Sequence, residues 1–276
     1  MSLPKSVTSK HMSSNVLAAF TCGIISVTAA ATAHAGFVFD LQALSGTGGA
    51  TVTDAKTVSI DPNHAVGSSV VFALVGMSLG NNSLLDEGFQ SALSSVLSFA
   101  PTGVKNIRGN FSTPVIDPTY LTGAAFAGAV ADLNGDGDLD VGGALTGATS
   151  VTGSFINVRA SSMVNSGSSA TDLPGNAGRA FVFGTVTWTI TSVDDINSAL
   201  VTFANFGIPT FASTVFNAQR ALYQIDGVNG NGGSAALPKI SAGPNVSVQL
   251  GIVPEPSVSL LCSLAFGAMG LRRFRR

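Results

Sequence analysis

The fold class is decided by the stretch Ser69–Leu79, which reads Ser-Val-Val-Phe-Ala-Leu-Val-Gly-Met-Ser-Leu. Apolar side chains occupy both of its alternating faces, with Val70, Phe72 and Leu74 on one face and Val71, Ala73, Val75 and Met77 on the other. Successive side chains of a strand point to opposite faces, so a strand that is apolar on both faces has to be covered on both. The stretch therefore predicts a central strand.

Further strands are predicted on either side of this stretch, and a period of two is clear in residues 37–42, 181–190 and 246–252. The predicted strand segments are residues 37–42, 57–60, 150–160, 181–190, 199–206 and 246–252. In residues 181–190 the expected inner face carries Val182, Val186, Trp188 and Ile190, and the expected outer face carries Thr185, Thr187 and Thr189. Residues 89–100 fit both helical and strand spacing. The runs 161–177 and 228–236, rich in Ser, Gly and Asn, predict surface loops.

Many short strands joined by Gly, Asn, Asp and Ser turns, without a βαβ rhythm, favour an all-β fold and specifically a β-sandwich. The apolar strand, the later Gly-Phe-Gln stretch at residues 88–90 and the Thr-rich strand give a loose similarity to cohesin-like sandwiches. That similarity leaves immunoglobulin-like and jelly-roll sandwiches open as alternatives.

Composition limits the function classes. Charged residues make up 10 % of the 276 residues, against about 25 % in an ordinary soluble domain. The formal net charge of −2 excludes a binder that attracts nucleic acid by a strong basic field. Residues 36–253 hold seven Lys and Arg against fourteen Asp and Glu and contain no cysteine. This part of the chain is therefore expected to rely on its core, rather than on disulfides, for stability.

Residues 1–35 show the three zones of a secretory signal peptide. A basic start is followed by an apolar run over residues 16–31 and by Ala33-His34-Ala35. Small residues at Ala33 and Ala35 form the pattern that signal peptidase cleaves, which places the mature N-terminus at Gly36. The prediction is export, with signal peptidase as the first processing enzyme.

The C-terminal residues 254–276 carry three ordered features. They are the triplet Pro254-Glu255-Pro256, a mostly apolar run over residues 258–271, and a cluster of four arginines at Arg272, Arg273, Arg275 and Arg276. Fourteen helical residues extend about 21 Å, which is short of a hydrocarbon core of about 30 Å. The arginines favour the cytoplasmic side. These features predict a short transmembrane helix that anchors an exported protein weakly.

In this order the three features resemble a PEP-CTERM sorting signal. The resemblance implies processing by exosortase near the triplet, after transient anchoring in the inner membrane. It further implies a bacterium that exports exopolysaccharide, and a protein that ends at the cell surface or in the extracellular matrix. The resulting division is a signal peptide at 1–35, a β-sandwich domain at 36–253 and the sorting signal at 254–276.

One segment of the body has the spacing of a metal site. Residues 132–140 read Asp-Leu-Asn-Gly-Asp-Gly-Asp-Leu-Asp, and the Asp-x-Asn-x-Asp-Gly pattern is that of a calcium loop. The ligand candidates are Asp132, Asn134, Asp136, Asp138 through its backbone carbonyl, and Asp140. Gly137 would allow the sharp turn, and Leu139 would tether the loop to the core.

The segment resembles an EF-hand or dockerin-type loop and departs from it in three ways. Position 12 is Gly143 instead of a bidentate glutamate, so Asp140 or a distant carboxylate would have to complete the coordination shell. The pattern occurs once, and helical flanks are not indicated. The prediction is a structural Ca²⁺ of extracellular grade, with a Kd of about 10⁻⁴ to 10⁻³ M; the alternative is a solvated turn without metal.

Catalytic residues are sparse. His64 is the single histidine of residues 36–253 and lies in a predicted turn, and Glu87 is the single glutamate of that region. Asp86-Glu87 and Asp194-Asp195 are interpreted as solvated turns. The main hypothesis is therefore a secreted, non-catalytic surface or matrix protein.

Two alternatives stay open from the sequence. One is a carbohydrate-binding or adhesive module with exopolysaccharide as its partner, in which Trp188, Tyr120 or Tyr223 would stack on a sugar. A lone Trp in an alternating strand is more often a core residue. The other is a weak glycoside hydrolase that uses a pair of aspartates.

Overall fold

The structure is a computed structural model of the full chain. It describes residues 36–80, 82, 84–99, 107–123, 125–143, 155–165, 170–174, 177–193, 200–203, 221–231 and 240–250. The predicted signal peptide, the sorting signal and the Asp194-Asp195 pair lie outside the described residues. No helix within the described ranges is long and apolar enough to cross a membrane.

The described residues form an all-β fold, as the alternation predicts, with two single 3-10 turns at Pro62–His64 and Pro118–Tyr120. The strands are β1 Gly36–Thr47, β2 Ala50–Asp54, β3 Thr57–Ile60, β4 Ser69–Leu79, β5 Gly88–Ser94, β6 Ser98–Phe99, β7 Ile107–Phe111, β8 Val115–Ile116, β9 Val130–Ala131, β10 Asp140–Val141, β11 Ile156–Val164, β12 Ala170–Asp172, β13 Gly178–Val193, β14 Leu200–Phe203, β15 Ala221–Ile225, β16 Val228–Asn231, β17 Ile240–Ala242 and β18 Val246–Leu250.

Strand β4 is central, as its two apolar faces predict. It lies between β1 and β13 in a sheet of order β12-β13-β4-β1-β17, and β7 and β8 also pair with β13. Val70, Phe72 and Leu74 belong to the main hydrophobic core, whereas Ala73, Val75 and Met77 belong to a second cluster with Leu173 and Ala180 on the opposite face. Both faces of the strand are therefore covered.

The remaining strands form three smaller sheets. Their orders are β11-β5-β15-β16, β2-β3-β18-β14-β6 and β10-β9. The described residues 89–99 of the ambiguous segment contribute to two strands, β5 and β6, and not to a helix. The central sheet and the two sheets that contain β5 and β18 all contribute side chains to the main core. Examples are Phe72 from β4, Phe89 from β5 and Val248 from β18.

A β-bulge in β13 corrects one assignment of face. The register of β13 against β4 shifts between Val182 and Gly184, and a bulge inserts one unpaired residue that reverses the alternation beyond it. As a result Phe181 faces the main core before the bulge, Phe183 faces it within the bulge, and Val186, Trp188 and Ile190 face it afterwards. Val182 was expected on that face, but it packs against the second cluster.

Two predicted surface loops are shorter than expected. Strand β11 continues to Val164, and β12 occupies Ala170–Asp172 within the run 161–177. Strand β16 occupies Val228–Asn231 at the start of the run 228–236 and pairs with β15. The two-residue turn Asp226-Gly227 connects these two strands. An Asp-Gly pair between two strands is a strong hairpin signal, because both positions of a type I′ turn need a positive φ.

Candidate functional site

The predicted calcium loop lies between two paired strands, β9 and β10. Asp140 pairs with Ala131 and Val141 pairs with Val130, so residues 132–139 leave and re-enter a small antiparallel ladder. Val141 is fully buried and exchanges two backbone hydrogen bonds with Val96, at 2.8 and 3.0 Å. The loop is therefore flanked by strands and fixed to the core at its second end.

Asp132 lies at the centre of the turn that the loop makes. Its Oδ1 accepts hydrogen bonds from the backbone N–H groups of Gly135 at 2.7 Å and Asp136 at 3.2 Å, and its Oδ2 accepts one from Gly137 at 3.0 Å. Gly137 has a φ of 90°, which fits the expected sharp turn. Desolvation acts to raise the pKa of Asp132, but the backbone N–H donors outweigh it and leave the pKa lowered.

Asn134 and Asp136 lie on the outer side of the same turn. The amide of Asn134 donates to Asp136 Oδ2 at 2.9 Å and to the carbonyl of Ser98 at 2.8 Å, and its Oδ1 accepts from the backbone of Asp136 at 3.1 Å. Asp136 Oδ1 accepts from the backbone N–H of Asp138 at 3.1 Å. The side chains at positions 1, 3 and 5 are thus held on one turn by backbone donors.

Asp138 and Asp140 are buried, unlike the other loop residues. Asp140 Oδ1 accepts from the backbone N–H of Ser98 at 2.8 Å and its Oδ2 from that of Leu133 at 3.2 Å, while Asp138 Oδ2 accepts from Ser98 Oγ at 3.3 Å. These contacts place both carboxylates against the chain at Ser98. Within the part of the chain that the structure describes, the loop contributes no trio of carboxylates whose oxygens all lie within 4.8 Å of one another.

Leu139 was expected to tether the loop to the core through its side chain, but that side chain is exposed. Its main chain makes the attachment instead: the N–H donates to Asn110 Oδ1 at 3.0 Å, and the carbonyl accepts from the N–H of Phe111 at 2.8 Å. Arg108, on the same strand β7, donates to the carbonyl of Asp136. Strand β7 therefore supports the loop from one side.

A second acidic group, which the sequence patterns did not indicate, lies elsewhere in the fold. Asp86, Glu87 and Asp226 each offer a carboxylate oxygen, and these oxygens all lie within 4.8 Å of one another. Antiparallel pairing of Gln224 with Gly88 places Asp226 opposite Asp86. Asp86 and Asp226 are 140 positions apart in the sequence, so a motif of fixed spacing could not reveal the group. The Asp226-Gly227 pair, a hairpin signal, locates Asp226 alone.

Glu87 overturns the interpretation of Asp86-Glu87 as a solvated turn. Its side chain is 0 % exposed, and neither of its carboxylate oxygens has a hydrogen-bond partner. Burial is the largest cause that raises the pKa of Glu87, and the charges of Asp86 and Asp226 add to it, while Arg179 acts in the opposite direction. Asp86 and Asp226 are half-buried and border this side chain.

The other candidate residues are placed as follows. His64 is exposed in its 3-10 turn, with Nδ1 at 2.7 Å from Asp61 Oδ2. Trp188, Tyr120 and Tyr223 are buried in the core at 0 to 1 % exposure. These three side chains therefore present no surface on which a sugar ring could stack.

The fold and these sites define an all-β protein with an acidic loop at residues 132–140 and a separate acidic group formed by Asp86, Glu87 and Asp226. No protein-family model, no curated protein and no solved structure matches this chain.

Proposed function

We propose that the protein is a secreted, non-catalytic component of the bacterial cell surface or exopolysaccharide matrix, processed by exosortase and stabilised by a calcium ion in the loop at residues 132–140. The N-terminal pattern ending at Ala33-His34-Ala35 supports export. The ordered triplet, apolar run and arginine cluster of residues 254–276 support sorting by exosortase. In this proposal residues 1–35 act as the signal peptide and residues 254–276 as the sorting signal.

We further infer that residues 36–253 form a β-sandwich. The support is the distribution of the core. One cluster receives side chains from the sheet that contains β4 and from the sheet that contains β5. Two sheets that share a core between their inner faces are the arrangement of a sandwich. The shared core involves Phe37, Phe72 and Phe183 on one side and Phe89 and Tyr223 on the other.

The fate of the C-terminus tests the sorting proposal. In cells with exosortase, mass mapping of the mature protein is expected to place its C-terminus near Pro254-Glu255-Pro256, and in cells without exosortase at Arg276. Glu255→Gln is expected to cause accumulation of the uncleaved form in the membrane fraction. Pro244→Ala, at an exposed proline outside the triplet, serves as the control and should be processed normally. A C-terminus at Arg276 in both strains would contradict the proposal.

One observation carries the calcium proposal: three backbone N–H groups converge on the carboxylate of Asp132 and wrap the loop around it. The same turn holds the oxygen-bearing side chains of Asn134 and Asp136. Hard oxygen donors of this kind suit Ca²⁺. The four aspartates of the loop and Arg108 together leave a formal surplus of three negative charges, which a divalent cation would reduce. When bound, the ion would supply structural cross-linking.

Thermal unfolding of the full chain tests this site. A CaCl₂ concentration of 10 mM is about 10 to 100 times the expected Kd, so it raises the ratio of folded to unfolded protein about 10- to 100-fold and is expected to raise the Tm relative to chelator. The double variant Asp132→Asn, Asp136→Asn keeps acceptors for the backbone N–H groups and removes two charges, so it should lose the loop's share of the shift. Asp54→Asn, at an exposed aspartate, should keep the full shift. An unchanged calcium response in the double variant would refute the loop as the site.

A further inference from the structure

We propose that Asp86, Glu87 and Asp226 form a second Ca²⁺ site, separate from the loop at 132–140. The site lies where the segment that leads into β5 meets the hairpin between β15 and β16. The inference is independent of the proposed calcium loop, because no residue is shared between the two.

The spacing of the three carboxylates fits a single calcium ion. Ca²⁺ binds oxygen ligands at 2.3–2.6 Å, so two ligands of one ion are at most about 5 Å apart. One carboxylate oxygen from each of Asp86, Glu87 and Asp226 lies within 4.8 Å of the other two. Hard carboxylate donors, with no cysteine or histidine in the group, favour Ca²⁺ over softer metals.

Glu87 supplies the independent observation. A buried carboxylate without a hydrogen-bond partner is costly, and proteins compensate for such a group by pairing it or by metal coordination. Both oxygens of Glu87 are buried and unpartnered, and so is Oδ1 of Asp86. One carboxylate oxygen of Glu87 lies within 4.8 Å of an oxygen of each aspartate, so the three residues can share one ion.

The neighbouring cation does not replace a metal. Arg179 donates through Nε to Asp172 Oδ1 at 2.9 Å, and through a terminal nitrogen to the main-chain carbonyl of Glu87 at 3.3 Å. Its contact with Glu87 is therefore to the backbone, and the carboxylate oxygens stay without a hydrogen bond.

The backbone around the site allows the three carboxylates to lie close together. Residue 80, at the end of β4, is glycine, and a Cβ at that position would collide with Glu87 Oε1. Asp226 has a φ of 50° in its hairpin turn, and its Oδ1 accepts from the backbone N–H of Asn82 at 3.2 Å. Ser78 Oγ donates to the carbonyl of Gln224 at 2.6 Å and ties β4 to the hairpin strand.

An ion at this point would join three elements that are distant in sequence. It would link the segment before β5 to the turn after β15, beside the end of β4. Three carboxylates leave room for water or carbonyl ligands in a coordination shell of six to eight oxygens. Asp86 and Asp226 are half-buried, so both residues keep some contact with solvent. We expect a structural site with a Kd of about 10⁻⁴ to 10⁻³ M.

Calcium titration of the full chain in a background that lacks the loop site tests the proposal. In the Asp132→Asn, Asp136→Asn chain, titration calorimetry with CaCl₂ is expected to show one ion per chain. Adding Glu87→Gln, or separately Asp226→Asn, should remove this binding and the accompanying rise of Tm in calcium. Asp54→Asn in the same background is the matched control and should bind normally. In chelator, Glu87→Gln should melt no lower than its parent, because it removes a buried uncompensated charge.

The outcomes separate this proposal from the loop site. If the loop binds no calcium, the unmodified chain binds one ion and Glu87→Gln alone abolishes it. The proposal is overturned if the background chain binds no calcium at 10 mM, or if binding persists in both Glu87→Gln and Asp226→Asn. Circular dichroism and the emission of Trp188 confirm that each variant is folded.

Discussion

Replacing Phe89 with alanine is expected to reduce the free energy of unfolding by about 3–5 kcal/mol, the range for removing a large aromatic side chain from a packed core. Phe89 is fully buried at the point where strand β5 faces the central sheet. The loss combines the transfer free energy of the ring with the cavity that it leaves.

The aromatic neighbours of Phe89 explain why this site should be among the most sensitive. Its ring centroid lies 4.4 Å from that of Phe183, 5.4 Å from Phe37, 5.7 Å from Tyr120 and 5.8 Å from Phe181. Phe37, Phe181 and Phe183 come from strands of the central sheet, so the ring connects two sheets. Aromatic pairs at these distances contribute about 0.5–1.5 kcal/mol beyond the area they bury.

Denaturant unfolding, followed by the fluorescence of the single tryptophan, Trp188, measures this loss. Phe126→Ala is the matched control, because it removes the same side chain from a position that is 37 % exposed. Its cost is expected to stay below about 1 kcal/mol. Equal losses for the two variants would contradict the assignment of Phe89 to a core between sheets.

The features that depend on local pattern could be predicted from the sequence. Alternation over Ser69–Leu79 predicts a central strand because the period of two reports directly which faces are covered. The burial of Trp188 follows from the same pattern. Residues 89–100 fit the spacing of a helix and of a strand, so their pattern does not decide between the two. The strand β5 forms because it pairs with β11 and β15. Tertiary hydrogen bonding overrides an ambiguous local pattern.

Features that depend on register or on long-range pairing could not be predicted. The bulge after Val182 reverses the alternation of β13. Gly184, with a φ of 155°, is the residue that marks a bulge there, because glycine inside a strand often does so, but the period of two alone does not show it. The group of Asp86, Glu87 and Asp226 exists because β15 pairs with β5 in one register. A shift of that pairing by one residue would turn these side chains to opposite faces. By contrast, the loop at 132–140 is visible in the sequence because its ligand candidates are contiguous.

The ion pair between Lys56 and Asp40 makes a second strong prediction. Asp40 is buried on β1, and Lys56, in the turn between β2 and β3, contacts its Oδ1. The ammonium group also donates to the carbonyl of Leu41 at 2.5 Å and to that of Pro244, before β18, at 3.0 Å. One side chain thus joins three segments. Burial lowers the pKa of Lys56, and the charge of Asp40 opposes this shift, so the charge of the lysine is desolvated.

Lys56→Met is therefore expected to reduce the free energy of unfolding by about 3 kcal/mol, because it leaves the buried carboxylate of Asp40 without its cation. The side-chain amide of Gln42 still donates to Asp40 Oδ2 at 2.8 Å. The double variant Lys56→Met, Asp40→Asn removes both charges and is expected to recover most of the loss, since replacing a whole buried pair by neutral groups is often close to neutral. Denaturant unfolding of both variants and of Asp40→Asn completes a double-mutant cycle. A double variant no more stable than Lys56→Met would show that the cost arises from the lost contacts to Leu41 and Pro244 and not from an unpaired charge.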